Sequence, residues 1–100
     1  MKLMVLDRNI KTGESNDSDT IEAIKEKFKE EVNELLQAFE SRDWISIAEE
    51  SFDVIQTLLR VFKLMLKEGY DIEQLNKRHN KKLVNRGWMA KTILEVLVKK

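Results

Sequence analysis

The residues of this sequence best suited to chemistry are acidic, and they fall in a pattern. Glu30-Glu31-Val32-Asn33-Glu34 sets Glu31 and Glu34 three apart, and Glu50-Ser51-Phe52-Asp53 repeats that spacing with Glu50 and Asp53. On an α-helix, positions three apart project from neighbouring points on one side. Two such helices lying side by side would let four carboxylates converge. Bare carboxylates held that close repel, and must raise their pKa values or splay apart. A divalent cation removes the conflict. Hard oxygen donors select Mg²⁺, Mn²⁺ or Ca²⁺ over Zn²⁺, because the chain has no cysteine and a single histidine. Mg²⁺ commonly shares its shell with substrate phosphates, so an all-carboxylate site points to a phosphorylated substrate. The competing interpretation is a solvated acidic surface, since 18 acidic residues in 100 generate such spacings by chance. Against it, Glu50 and Asp53 sit on a stretch that is otherwise apolar on both flanks, where an unpaired charge is costly.

The elements that must position these groups read as helices. Lys11 to Asp19 is a polar loop containing Gly13, and it ends in a helix-start signal. Asp19 is expected to cap the first helix, with Glu22 reaching back as in a capping box. Ile21, Ile24, Phe28, Val32, Leu35 and Phe39 then recur at three- and four-residue steps, predicting a helix to about Glu40. Ser41 to Asp43 breaks the pattern, and a second helix is expected from roughly Ile45 to Glu68, stopped by Gly69. Its apolar stripe is Ala48, Phe52, Ile55, Leu59, Phe62 and Leu66, but Val54, Leu58, Val61, Leu64 and Met65 occupy much of the opposite side. A helix apolar nearly all round is buried nearly all round. A chain of 100 residues offers little single-core burial, so this helix predicts a second subunit, against the alternative of a central core helix within one chain. Asp71 caps a third helix, with Gln74 at the capping-box position, through about Val84; Asn85, Arg86 and Gly87 end it. Met89 to Lys100 is apolar and basic without a clear period, and is assigned to helix. Met1 to Ile10 is a short strand or an arm.

Composition agrees with an all-α fold: no proline and three glycines supply too little turn chemistry for a sandwich or barrel. The architecture expected is an antiparallel helix bundle completed by oligomerisation, one domain over residues 1–100. Its core spans about 18–88, with an N-terminal arm (1–17) and a C-terminal segment (89–100). Eighteen basic residues balance eighteen acidic ones, which argues against a nucleic-acid binder. No run approaches a membrane span, and Met1 to Leu6 is too short for a signal-peptide core. Absence of cysteine fits a reducing compartment, and a cytoplasmic location is expected.

The order E-E-x-x-E, spacer, E-x-x-D resembles the signature of the all-α nucleotide pyrophosphohydrolases, the MazG-like superfamily. The flanking text is similar too: KEEVNELLQAF to the family's first-helix segment, WISIAEESFDVIQTLLRVF to its second, and HNKKLVNRGW to the close of short, single-domain members. The likeness covers about residues 22–88. It implies hydrolysis of a canonical or modified (deoxy)nucleoside triphosphate between its α- and β-phosphates, as in cleansing of the nucleotide pool. It implies Mg²⁺, with Mn²⁺ as a substitute, on Glu31, Glu34, Glu50 and Asp53. Glu30 becomes a neighbouring acid or the catalytic base, and the assembly a homodimer or homotetramer. Lys82 and Arg86, four apart near the end of the third helix, are candidates to clamp phosphate, against a reading as solvated cations that complement the helix dipole. Asn33 and Gln56 are candidates to hydrogen-bond the base. Trp44 and Trp88 are assigned to packing rather than base stacking, and His79 to a surface or interface.

Two alternatives stand beside the hydrolase. One is a non-catalytic helical dimerisation module whose acidic cluster is solvated or holds a structural metal. The other is a pyrophosphohydrolase acting on phosphoribosyl-ATP, which the tail of this chain does not obviously resemble.

Overall fold

The computed structural model of the protein describes residues 1–99. Helix α1 (Ile21–Ser41) starts at Thr20, not at Asp19: the Thr20 hydroxyl accepts from the Ala23 N–H at 3.1 Å. Asp19 serves elsewhere, its carboxylate taking both the Nε (2.8 Å) and Nη2 of Arg60. The expected capping role of Asp19 thus passes to its neighbour, which is equally able to cap. At the other end Arg42 adopts φ 59°, and its N–H closes on Phe39 O at 3.3 Å. Asp43 then opens helix α2 (Trp44–Lys67), its carboxylate accepting from the Ser46 hydroxyl at 2.6 Å. With only Arg42 and Asp43 between the helices, the chain doubles back: Asp19 meets Arg60, while Glu31 meets Glu50 and Asp53.

Helix α2 ends in a Schellman motif. Gly69 N–H bonds Leu66 O, Tyr70 N–H bonds Met65 O, and Gly69 sits at φ +87°, where a side chain is strained. Helix α3 (Ile72–Asn85) is capped by Asp71, whose Oδ1 accepts from the Gln74 N–H as its sequence suggests. The pattern repeats at its end, where Gly87 and Trp88 bond back to Val84 and Leu83. All three helices end within a residue or two of the expected points. The C-terminal segment differs: residues 89–99 form no helix, and Lys100 lies outside the described residues. Ile93, Leu94 and Leu97 are 74% or more exposed, and nothing among the described residues covers them.

The N-terminal arm is neither a strand nor loose. Its turn is built on Asn9, whose side-chain oxygen accepts from the Lys11 and Thr12 N–H groups. Gly13 N–H bonds Asn9 O, Asn9 N–H bonds Glu14 O, and an isolated antiparallel bridge joins Arg8 to Ser15. The arm lies on α2, where Lys63 faces both Asp7 and Asp17 at 3.6 Å and Lys67 Nζ donates to Asp17 O at 3.0 Å.

The hydrophobic interior is thin. Among the described residues Ile24 and Ala38 are the only buried apolar side chains, and neither is sealed completely. Phe52, Leu58, Phe62 and Leu66 on α2, and Phe28 and Phe39 on α1, all stay exposed by more than a third. Trp44 and Trp88 are exposed as well, so neither closes a core within this chain as expected. No helix is long and apolar enough to cross a membrane.

Candidate metal centre

Glu31 of α1 faces Glu50 and Asp53 of α2, and one oxygen from each lies within 4.8 Å of the other two. The reversal at Arg42–Asp43 sets this register, reinforced by the Arg60–Asp19 pair further along. Glu31 is 7% exposed, an unusual setting for a carboxylate. One of its oxygens has the Lys27 ammonium at 3.0 Å, while the other has no hydrogen-bond partner. Glu50 likewise carries a buried oxygen without a partner. Buried charges tend to be paired or to coordinate metal ions, and the group formed by Glu31, Glu50 and Asp53 could hold one.

Glu34 stands next to this trio without joining it. The Glu31 charge, then burial, contact with the Glu31 carboxyl, and the charges of Glu50 and Glu30 hold the Glu34 carboxyl above the usual carboxylate range. Lys27 is raised as well, which for an ammonium favours the charged form: its contact with Glu31 raises its pKa despite the opposing effect of burial. Beneath Asp53, the buried Thr57 hydroxyl donates to the Asp53 carbonyl at 3.2 Å and ties the ligand's own turn of helix.

A cavity of about 580 Å³ opens beside the acids, walled below by Glu31, Asp53, Gln56 and Arg60 and above by the N-terminal arm. That volume falls in the range of ~300–1,000 Å³ that small-molecule sites occupy. Gln56 places a buried side-chain oxygen without a partner in this neighbourhood. The remaining candidates differ in place. Glu30 is largely exposed, with Lys27 at 3.6 Å, and together with Asn33 lines an adjoining depression that shares Glu14, Asn16, Lys27 and Arg60 with this cavity. Lys82 and Arg86 line a third depression on α3, with His79, that shares no residue with the acidic cavity. The fold therefore unites Glu31, Glu50, Asp53 and Gln56, keeps Glu34 adjacent, sets Glu30 and Asn33 in the adjoining depression, and separates Lys82 and Arg86 from them.

Two contributors were not singled out from sequence. Lys27 was legible in principle, one turn before Glu31 at the spacing of a helical ion pair. The arm was not, because its place over the acids depends on ion pairs to Lys63, some fifty residues along the chain.

No protein-family model, curated protein or solved structure matches this chain.

Proposed function

We propose that the chain is a Mg²⁺-dependent nucleoside triphosphate pyrophosphohydrolase of MazG-like type, releasing a nucleoside monophosphate and pyrophosphate. The observation that carries this reading is Glu31: a carboxylate more than nine-tenths buried, with an unpartnered oxygen, set against two further acids. A purely structural acid at that depth would have its lone pairs satisfied. Glu31, Glu50 and Asp53 would hold the ion, Mg²⁺ or Mn²⁺, and Glu34 is near enough to join or to act beside them. Once bound, such an ion supplies positive charge to phosphate oxygens and acidifies water.

The chain's own residues have the remaining roles. Lys27 offsets part of the acidic charge while the site waits for its ligand. Glu34, whose carboxyl is held above the usual carboxylate range chiefly by the Glu31 charge, and Glu30 are the acids beside the trio that could take a proton from an attacking water. Gln56 offers its unpartnered amide oxygen to a donor on the nucleotide.

The same reading includes an antiparallel bundle completed by a second copy of the chain. Phe52, Leu58, Phe62 and Leu66 form too large an exposed apolar face on α2 for a well-behaved monomer. Incubation with Mg²⁺ and a panel of canonical and modified nucleoside triphosphates tests the activity. Pyrophosphate release that EDTA abolishes is the expected result. A panel with no turnover in saturating Mg²⁺ or Mn²⁺ overturns it and leaves the helical association module.

A further inference from the structure

The cavity beside the acids has a helical wall and an arm wall, each carrying both signs of charge, and they differ in which cations are free. The helical wall carries Glu31 and Asp53, and both of its cations are already engaged: Lys27 by Glu31 and Arg60 by Asp19. The opposite wall is the arm, which brings Arg8 and Lys11 to the same cavity. Neither has a carboxylate within ion-pair distance among the described residues, although the arm is otherwise rich in paired charge. The arm is fixed on α2 by Asp7 and Asp17 against Lys63 and by the Lys67–Asp17 bond, and it is closed on itself by the Asn16 amide on Leu6 O at 3.2 Å. Asp7 and Glu14 of the arm also line the cavity, but Asp7 is engaged by Lys63, and Arg8 and Lys11 are the cations there without a carboxylate among the described residues.

We propose that this arm is the phosphate-binding wall of the site, with Arg8 and Lys11 gripping the β- and γ-phosphates of a triphosphate whose metal is held from the helical side. The proposal rests on the pyrophosphohydrolase reading above and adds the missing cationic half of that site. A metal–triphosphate complex keeps net negative charge after the acids take the metal, so its far side needs positive partners. Guanidinium and ammonium groups bind phosphate oxygens well. Lys63 is a positioning residue here: it holds the arm and touches no substrate.

The test compares wild type with the double variant Arg8→Gln/Lys11→Gln, using the best substrate of the nucleotide panel and inorganic tripolyphosphate as a competitive probe without a base. Mn²⁺ binding, read by electron paramagnetic resonance, reports the helical half separately. The double variant is expected to keep Mn²⁺ affinity, to raise KM about tenfold, and to weaken tripolyphosphate inhibition by a similar factor. Its KM should also respond less to added salt, since two screened charges are gone. Arg8→Lys/Lys11→Arg should restore most of the affinity, and Lys63→Gln should raise KM with Mn²⁺ binding intact. KM and tripolyphosphate inhibition within twofold of wild type would overturn the proposal while leaving the hydrolase standing. A KM effect without a tripolyphosphate effect would also overturn it, because the arm would then touch the nucleoside. Wild type without Mn²⁺ binding and without turnover would remove the underlying reading, and this proposal with it.

Discussion

Replacing Glu31 with Gln removes one charge from the acidic trio and keeps its shape, so the energetics of the site can be read from stability alone. The ligand oxygens lie within 4.8 Å of one another, where an effective dielectric of about 20 gives roughly 3.5 kcal/mol of repulsion per charged pair. Glu31 takes part in two such pairs, with Glu50 and Asp53. The protein has an escape, since near pH 7 protonating one ordinary glutamate costs only about 3.7 kcal/mol. That figure caps the relief. Against it stands the Lys27 ammonium at 3.0 Å, on a side chain 43% exposed, a pair worth about 1 kcal/mol. Metal-free Glu31→Gln is therefore expected to be more stable than wild type by roughly 1–3 kcal/mol. Mg²⁺ should reverse the order, adding about 2.7 kcal/mol to wild type at a hundred times its Kd and little to the variant. Urea denaturation in EDTA and in Mg²⁺ measures both, at fixed protein concentration and with equal m-values as the control. A variant less stable than wild type in EDTA, and indifferent to Mg²⁺, would refute the reasoning and make Glu31 a structural partner of Lys27.

Asp53→Asn is expected to lower kcat by about a hundredfold or more, beyond the losses typical of outer-shell partners, with helix content and hydrodynamic size unchanged in the same preparation. Asp19→Asn strands Arg60, whose side chain is 18% exposed, and should cost about 2–4 kcal/mol of stability in thermal or urea unfolding. The Glu34 carboxyl binds its proton more tightly folded than unfolded. Metal-free stability should therefore fall as pH rises from the ordinary glutamate range to the raised one; Glu34→Gln should abolish that component, and an unchanged pH profile would contradict it. Phe62→Glu places a charge in the exposed apolar face of α2 and should convert any assembly to an 11.8 kDa monomer in analytical ultracentrifugation.

The helices were legible because each writes its period into the chain. Ile24, Phe28 and Leu35 on α1, and Phe52, Ile55 and Phe62 on α2, repeat at helical steps, and Gly69 and Gly87 occupy the left-handed positions that end α2 and α3. The start of α1 slipped by one residue because Asp19 and Thr20 can both cap. Arg60, 41 residues away, breaks the tie by claiming Asp19. The C-terminal segment went astray for a related reason. Its apolar run has no period, and without a surface to cover Ile93 and Leu97 it has no cause to become helical. In the acidic cluster, Glu31, Glu50 and Asp53 met as their spacing suggested, and Glu34 did not. Three residues turn an α-helix through about 300°, so Glu31 and Glu34 point some 60° apart and only Glu31 faces α2 squarely. Lys82 and Arg86 belong to α3, which touches α2 only lightly, and no local pattern could have told how far from the acids it would lie.

The central claim is that Glu31, Glu50 and Asp53 together hold one divalent cation. Titrating Mn²⁺ into EDTA-stripped, desalted protein, with free ion followed by electron paramagnetic resonance, tests it without any assumption about substrate. One site per chain, displaced by Mg²⁺ and weakened at least about tenfold in each of Glu31→Gln, Glu50→Gln and Asp53→Asn, is the expected outcome. Binding that survives all three substitutions, or no binding at millimolar Mn²⁺, would contradict it.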